Sequence, residues 1–156
     1  MQKTLELQYD LIKSARSVLL DYCETLSPEA FLTENSNFGT GSVRNLLIHN
    51  ANTYIGWLGM RALKQDRSFI PYPSISNVGE IRLLYLEVDL LVSDFLAAFS
   101  GDYLTAIELD LGDEIIAASP FQLFTHVITH EFHHKGQILS LSRHLGYIPV
   151  DTDVMR

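Results

Sequence analysis

The chain has 156 residues and is acidic, with 19 Asp and Glu against 11 Lys and Arg and a net charge of −8, which excludes a phosphate backbone, and so nucleic acid, as an expected partner. That length suits one domain over residues 1–156 with enough core to fold unstapled, and the single cysteine, Cys23, has no internal partner for a disulfide. No stretch approaches the ~20 apolar residues of a membrane span, because Asp89 and Asp94 interrupt the most apolar run.

Four segments return apolar residues at three- and four-residue intervals, the spacing of helices with one buried face. They predict an all-α four-helix bundle. The first runs from about residue 3 to 25 through Leu5, Tyr9, Ile12, Ala15, Leu19 and Tyr22, with Cys23 in the packing. It opens without the apolar core of a signal peptide, so a cytoplasmic protein is expected. Ser27-Pro28 signals a stop and a short turn of helix. The second, about 42 to 65, follows the glycine-rich Phe38-Gly39-Thr40-Gly41-Ser42 and carries Val43, Leu46, Leu47, Tyr54, Trp57 and Leu58.

A connection over residues 66–76, with Pro71, Tyr72 and Pro73, is expected to cross an end of the bundle. The third helix begins at Asn77, a capping residue with Glu80 reaching back to it, and ends at Ser100-Gly101. Residues 107–111 and 114–116, separated by Gly112-Asp113, read as a small β-hairpin. The fourth helix has the clearest start, with Ser119 as N-cap, Pro120 in the first position and Gln122 completing a capping box; it ends near His144, before Gly146 and Pro149.

Five of the six histidines lie on that last helix: His126, His130, His133, His134 and His144. At ~100° per residue the first four of these share an arc of roughly 100°. His130 and His134 point into the apolar arc of Leu123, Val127, Ile138 and Leu141 or at its near edge, whereas His126 and His133 sit toward its border. Two imidazoles one turn apart on a core-facing surface can bring two nitrogens to one divalent ion. The alternative is a set of ordinary polar residues with satisfied hydrogen bonds.

The same window spells His130-Glu131-Phe132-His133-His134, a literal H-E-x-x-H match. The metalloprotease context is missing: Gln137 and Ser140 stand where the longer motif has glycine and histidine, and no glutamate follows Glu131. Glu131 projects toward the apolar arc, where it could support a ligand, act as a base or pair with an arginine of another helix.

The string from His130 to Leu139, with His126 before it and Arg143, Gly146 and Pro149 after it, resembles the last helix of the DinB/YfiT-like family of metal-dependent enzymes. Ser42-Val43-Arg44-Asn45-Leu46-Leu47-Ile48-His49 is similar to that family's second helix. The resemblance implies a metal site of His49, His130 and His134; of these, His49 is supplied by the resemblance alone. Lys135 departs from it, since relatives often have arginine there.

Three imidazoles leave a coordination position open, and zinc or nickel suits nitrogen ligands. The resemblance thus implies a hydrolase, or a thiol-dependent transferase, acting on a small molecule, and its pocket is expected at the bundle end, roofed by residues 66–76 and 103–117. It also implies pairing into a homodimer. The rival expectation is a non-catalytic metal-binding or stress-response protein in which the ion ties two helices together.

Overall fold

The computed structural model describes residues 1–38 and 41–156. Gly39 and Thr40, from the glycine-rich approach to the second helix, lie outside the described residues. Helix α1 (Gln2–Cys23) is followed by the short α2 (Pro28–Leu32), α3 (Val43–Tyr54), α4 (Val78–Ala98), strands β1 (Ile107–Asp110) and β2 (Ile115–Ala118), and α5 (Pro120–His144). The architecture is a helical bundle with a two-stranded hairpin before its last helix.

The caps read from the sequence at Asn77 and Ser119 are in place, and the structure adds Ser27 and Ser42. Ser27 Oγ accepts from the Ala30 N–H, Ser42 Oγ from Asn45, and Asn77 Oδ1 from Glu80. Ser119 and Gln122 form the full capping box, each side chain bonded to the other's backbone N–H. Glu80 differs in detail, for its carboxylate accepts from the Ser76 N–H and hydroxyl, one residue before the cap. The hairpin pairs Ile107 with Ala118 and Asp110 with Ile115, so its second strand runs two residues past the expected Ile116. Gly112 takes the left-handed φ of 93° in its turn.

Cross-links between helices define their directions. Tyr9 bonds Asp89, and Arg82 bonds Asp21 and Glu24, so α1 and α4 are antiparallel. Tyr85 reaches Leu47 O, while Leu91 lies beside Gly59, so α3 and α4 run parallel. Two parallel neighbours need a connection as long as a helix to bring the chain back. Residues 66–76 supply it: Arg67 packs on Gly59, Phe69 on Gly56, and Asn52 exchanges two hydrogen bonds with the backbone of Ile70. The segment is therefore a strap running back along α3, and the expected crossing over a bundle end is corrected.

The second helix also changes its winding. After Tyr54 it continues through Ile55–Ala62 as a wider π-helical segment, in which each N–H bonds five residues back. It is capped by Leu63, and Lys64 just beyond is a non-glycine residue with φ 55°. Apolar periodicity carries no signal for such widening. The core itself is where the apolar periods placed it, with Tyr54, Phe95, Phe124, Leu46, Leu58 and Ile138 almost fully buried. Cys23 is buried in it, and burial pushes its thiol up to about 12, so it is a packing residue. Among the described residues no helix is long and apolar enough to cross a membrane.

Candidate metal centre

The opposed faces of α3 and α5 bring three imidazoles together. His49 Nε2 and His130 Nε2 face each other at 3.1 Å. The His134 ring lies edge-on to His49 at 4.7 Å and to His130 at 4.4 Å between centroids. One nitrogen from each of the three falls within 4.8 Å of the others, and all three residues are half-buried. His126 and His133 are exposed, as their border positions on the arc implied. His126 stands edge-on to Trp57 at 5.2 Å, and His144 packs on Phe38 at the far end of α5.

Desolvation lowers the pKa of His49, His130 and His134, and His130 falls to about 4 because the repulsion of four further imidazoles, His134, His49, His126 and His133, adds to its desolvation. All three are therefore neutral near pH 7, with lone pairs free to bind a cation. Two nitrogens held ~2.05 Å from one tetrahedral ion are about 3.3 Å apart, close to the 3.1 Å between His49 and His130. The donor set fits a divalent metal.

Gln137 completes this arrangement, although the sequence drew attention to it only as a residue out of place. Its Oε1 lies 2.6 Å from His134 Nδ1, and because a carboxamide oxygen can only accept, Nδ1 carries the proton and Nε2 is left bare. Partners of this kind orient a ligand imidazole and raise its basicity. Gln137→Leu is expected to weaken zinc binding by roughly 10–100-fold in a calorimetric titration, and Gln137→Glu to keep most of it.

Glu131 sits next to this cluster in sequence but serves another one. Arg16 Nε and Nη2 donate to its two carboxylate oxygens at 2.7 and 2.9 Å, and Tyr54 OH donates at 2.6 Å. Arg16 Nη1 reaches Asp89 at 2.7 Å and its plane lies 4.3 Å over the Tyr85 ring. Burial opposes the charge of Arg16, but Glu131, Tyr9 and Tyr54 together outweigh it and hold the guanidinium protonated. With both oxygens engaged, Glu131 is not available as the base that the H-E-x-x-H match would require. Lys135 is likewise structural: its ammonium donates to Thr152 O and lies 3.9 Å from the Phe132 ring, pinning the C-terminal tail to α5.

A cleft of about 470 Å³ opens beside His49, walled by Thr53, Gly56, Trp57 and Arg61 of the second helix and by Phe69 to Tyr72 of the strap. That size suits a small ligand. Of the two segments expected to roof a pocket, residues 69–72 line this cleft and residues 103–117 do not. The hairpin region is absent from the walls because Leu109 is buried in the bundle and the hairpin packs against the end of the π segment. In the sequence Trp57 carries only the apolar period of its helix, and nothing there singles out Arg61.

No curated protein matches this chain. A family model, that of the DinB family, matches residues 1–156. With the whole length matched and three imidazoles gathered between its second and last long helices, the chain belongs to the DinB family.

Proposed function

We propose that this protein is a metal-dependent enzyme in which His49, His130 and His134 hold one divalent ion, zinc or nickel, for a reaction on a small molecule in the adjoining cleft. The observation that carries this reading is the shared position of His49, which belongs both to the imidazole cluster and to the cleft wall. A purely structural ion would gain nothing from a cleft of this size at its edge. Bound there, the ion would supply Lewis acidity toward water or toward the thiol of a second substrate, giving a hydrolase or a thiol-dependent transferase.

The chain's own residues prepare that chemistry. Gln137 holds one imidazole in the ligating tautomer, desolvation keeps all three unprotonated, and Asn52 fixes the strap that walls the cleft. Cys23 is buried in the bundle, so a thiol mechanism takes its sulfur from outside the protein.

The first test is elemental analysis of protein purified without a nickel column, with one zinc or nickel per chain expected. The second is cobalt(II) substitution followed by addition of azide. A visible spectrum that shifts with azide supports an open coordination position, whereas one that ignores azide overturns the enzyme reading in favour of an ion that only ties α3 to α5.

A further inference from the structure

We propose that the cleft takes a small molecule with an apolar body and a terminal oxyanion, and that Arg61 holds the oxyanion about 10 Å along the second helix from the imidazole cluster. The inference rests on the reading of that cluster as the reacting end of the cleft.

The first ground is the state of Arg61. Its partner among the described residues is the face of Trp57, 5.0 Å away. Among the described residues its Nε is sealed from solvent without an acceptor, and no carboxylate pairs with it. Arg44, Arg67, Arg143 and Arg156 also stand outside the ion pairs of the described residues, so it is the sealed Nε on a cleft wall, in a chain where acids outnumber bases 19 to 11, that sets Arg61 apart. Arg16 and Arg82, by contrast, each engage two carboxylates. A guanidinium offers five donors in a planar fork that matches a carboxylate or phosphate, and stacking on Trp57 uses none of them.

The second ground is the winding of the helix. In an α-helix residues five apart point roughly 140° away from each other. In the π segment, at roughly 80° per residue, Arg61 comes within about 40° of Gly56. The structure has the consequence: Arg61 Nη1 lies 2.9 Å from where a Cβ on Gly56 would be, and Phe69 of the strap lies at 3.0 Å from the same point. Glycine at 56 makes room for the guanidinium on the cleft wall.

These positions also set the length of the ligand. Gly56 is seven residues beyond His49, about 10 Å along the axis at ~1.5 Å per residue. Trp57, Phe69, Ile70 and Tyr72 make most of the wall apolar and aromatic, with Asn52 and Thr53 the polar residues on the helix between the two ends. A chain or ring system of about seven or eight heavy atoms would span from the oxyanion to the imidazoles.

The test uses octanoate and its neutral isostere octanamide, both spectrally silent, below micellar concentrations, with octyl phosphate as a second oxyanion. Trp57 is the single tryptophan of the chain, so its fluorescence reports on the cleft. In chelator-treated protein, octanoate or octyl phosphate is expected to bind at least tenfold more tightly than octanamide. Whichever of the two binds better identifies the preferred oxyanion.

Arg61→Gln should abolish that preference, while Arg143→Gln, an exposed arginine on α5, should leave it intact. Gly56→Ala, which must displace the guanidinium, should reduce the preference in a protein of unaltered backbone charge. Working without metal separates this result from the previous one: loss of zinc binding elsewhere does not change it. Equal affinity for octanoate, octyl phosphate and octanamide in the parent, or a preference that survives Arg61→Gln, overturns the proposal.

Discussion

His130→Ala and His134→Ala are expected to lose stoichiometric metal binding, whereas His126→Ala and His144→Ala keep most of it. The difference follows from position. His130 and His134 meet His49 with nitrogens inside a 4.8 Å group, while His126 is exposed against Trp57 and His144 packs on Phe38. His49→Ala should behave as the first pair does. Acid should act in the same direction with a defined window. Because burial lowers all three pKa values below the ordinary 6.5, with His130 at about 4, protons compete little at pH 7. Affinity should be level from pH 8 to about 7 and fall below pH ~6.5, as each imidazole that protonates removes a ligand. Calorimetric titration of the five variants and of the parent across that range checks both statements. Parent-like binding by either His130→Ala or His134→Ala would remove the proposed site.

Arg16→Met is expected to be the most destabilising of the variants considered, at about 3–5 kcal/mol, because it strands a buried carboxylate. Glu131 is only 5 % exposed, and without Arg16 it retains Tyr54 as its single hydrogen-bond donor among the described residues. A loss of that size is a large share of the ~5–15 kcal/mol that stabilises a domain. The double change Arg16→Met with Glu131→Leu should recover part of it, since apolar replacement of a whole buried pair is far less costly than removal of one partner. Urea unfolding midpoints read the effect. The same measurement separates two roles for Glu131: a catalytic base could be changed to Gln with little effect on stability, whereas here Glu131→Gln should lower it. A cost for Arg16→Met below ~1 kcal/mol would show that the pair is not the buried anchor described above.

Much of this molecule follows from local rules that a sequence displays directly. Apolar spacing determined α1, α4 and α5, because a helix in water must bury one face, and side chains at Ser27, Ser42, Asn77 and Ser119 determined where helices start. The histidine arc was legible for the same reason, since His130 and His134 are one turn apart on a core-facing surface. His49 was not, because its partners lie 81 and 85 positions away and its own helix places it at the rim of an apolar arc. Only the antiparallel packing of α3 on α5 brought it to them, and until then it rested on family resemblance.

The same division explains Glu131, whose neighbours in sequence are histidines but whose partners in space, Arg16 and Tyr54, come from two other helices. The parallel course of α3 and α4, the strap it requires and the π-helical turn that carries Arg61 over Gly56 were likewise decided in three dimensions. Periodicity records which face of each helix avoids water. It does not record how helices are ordered around a core or how tightly each is wound, since those depend on contacts between residues far apart in the chain.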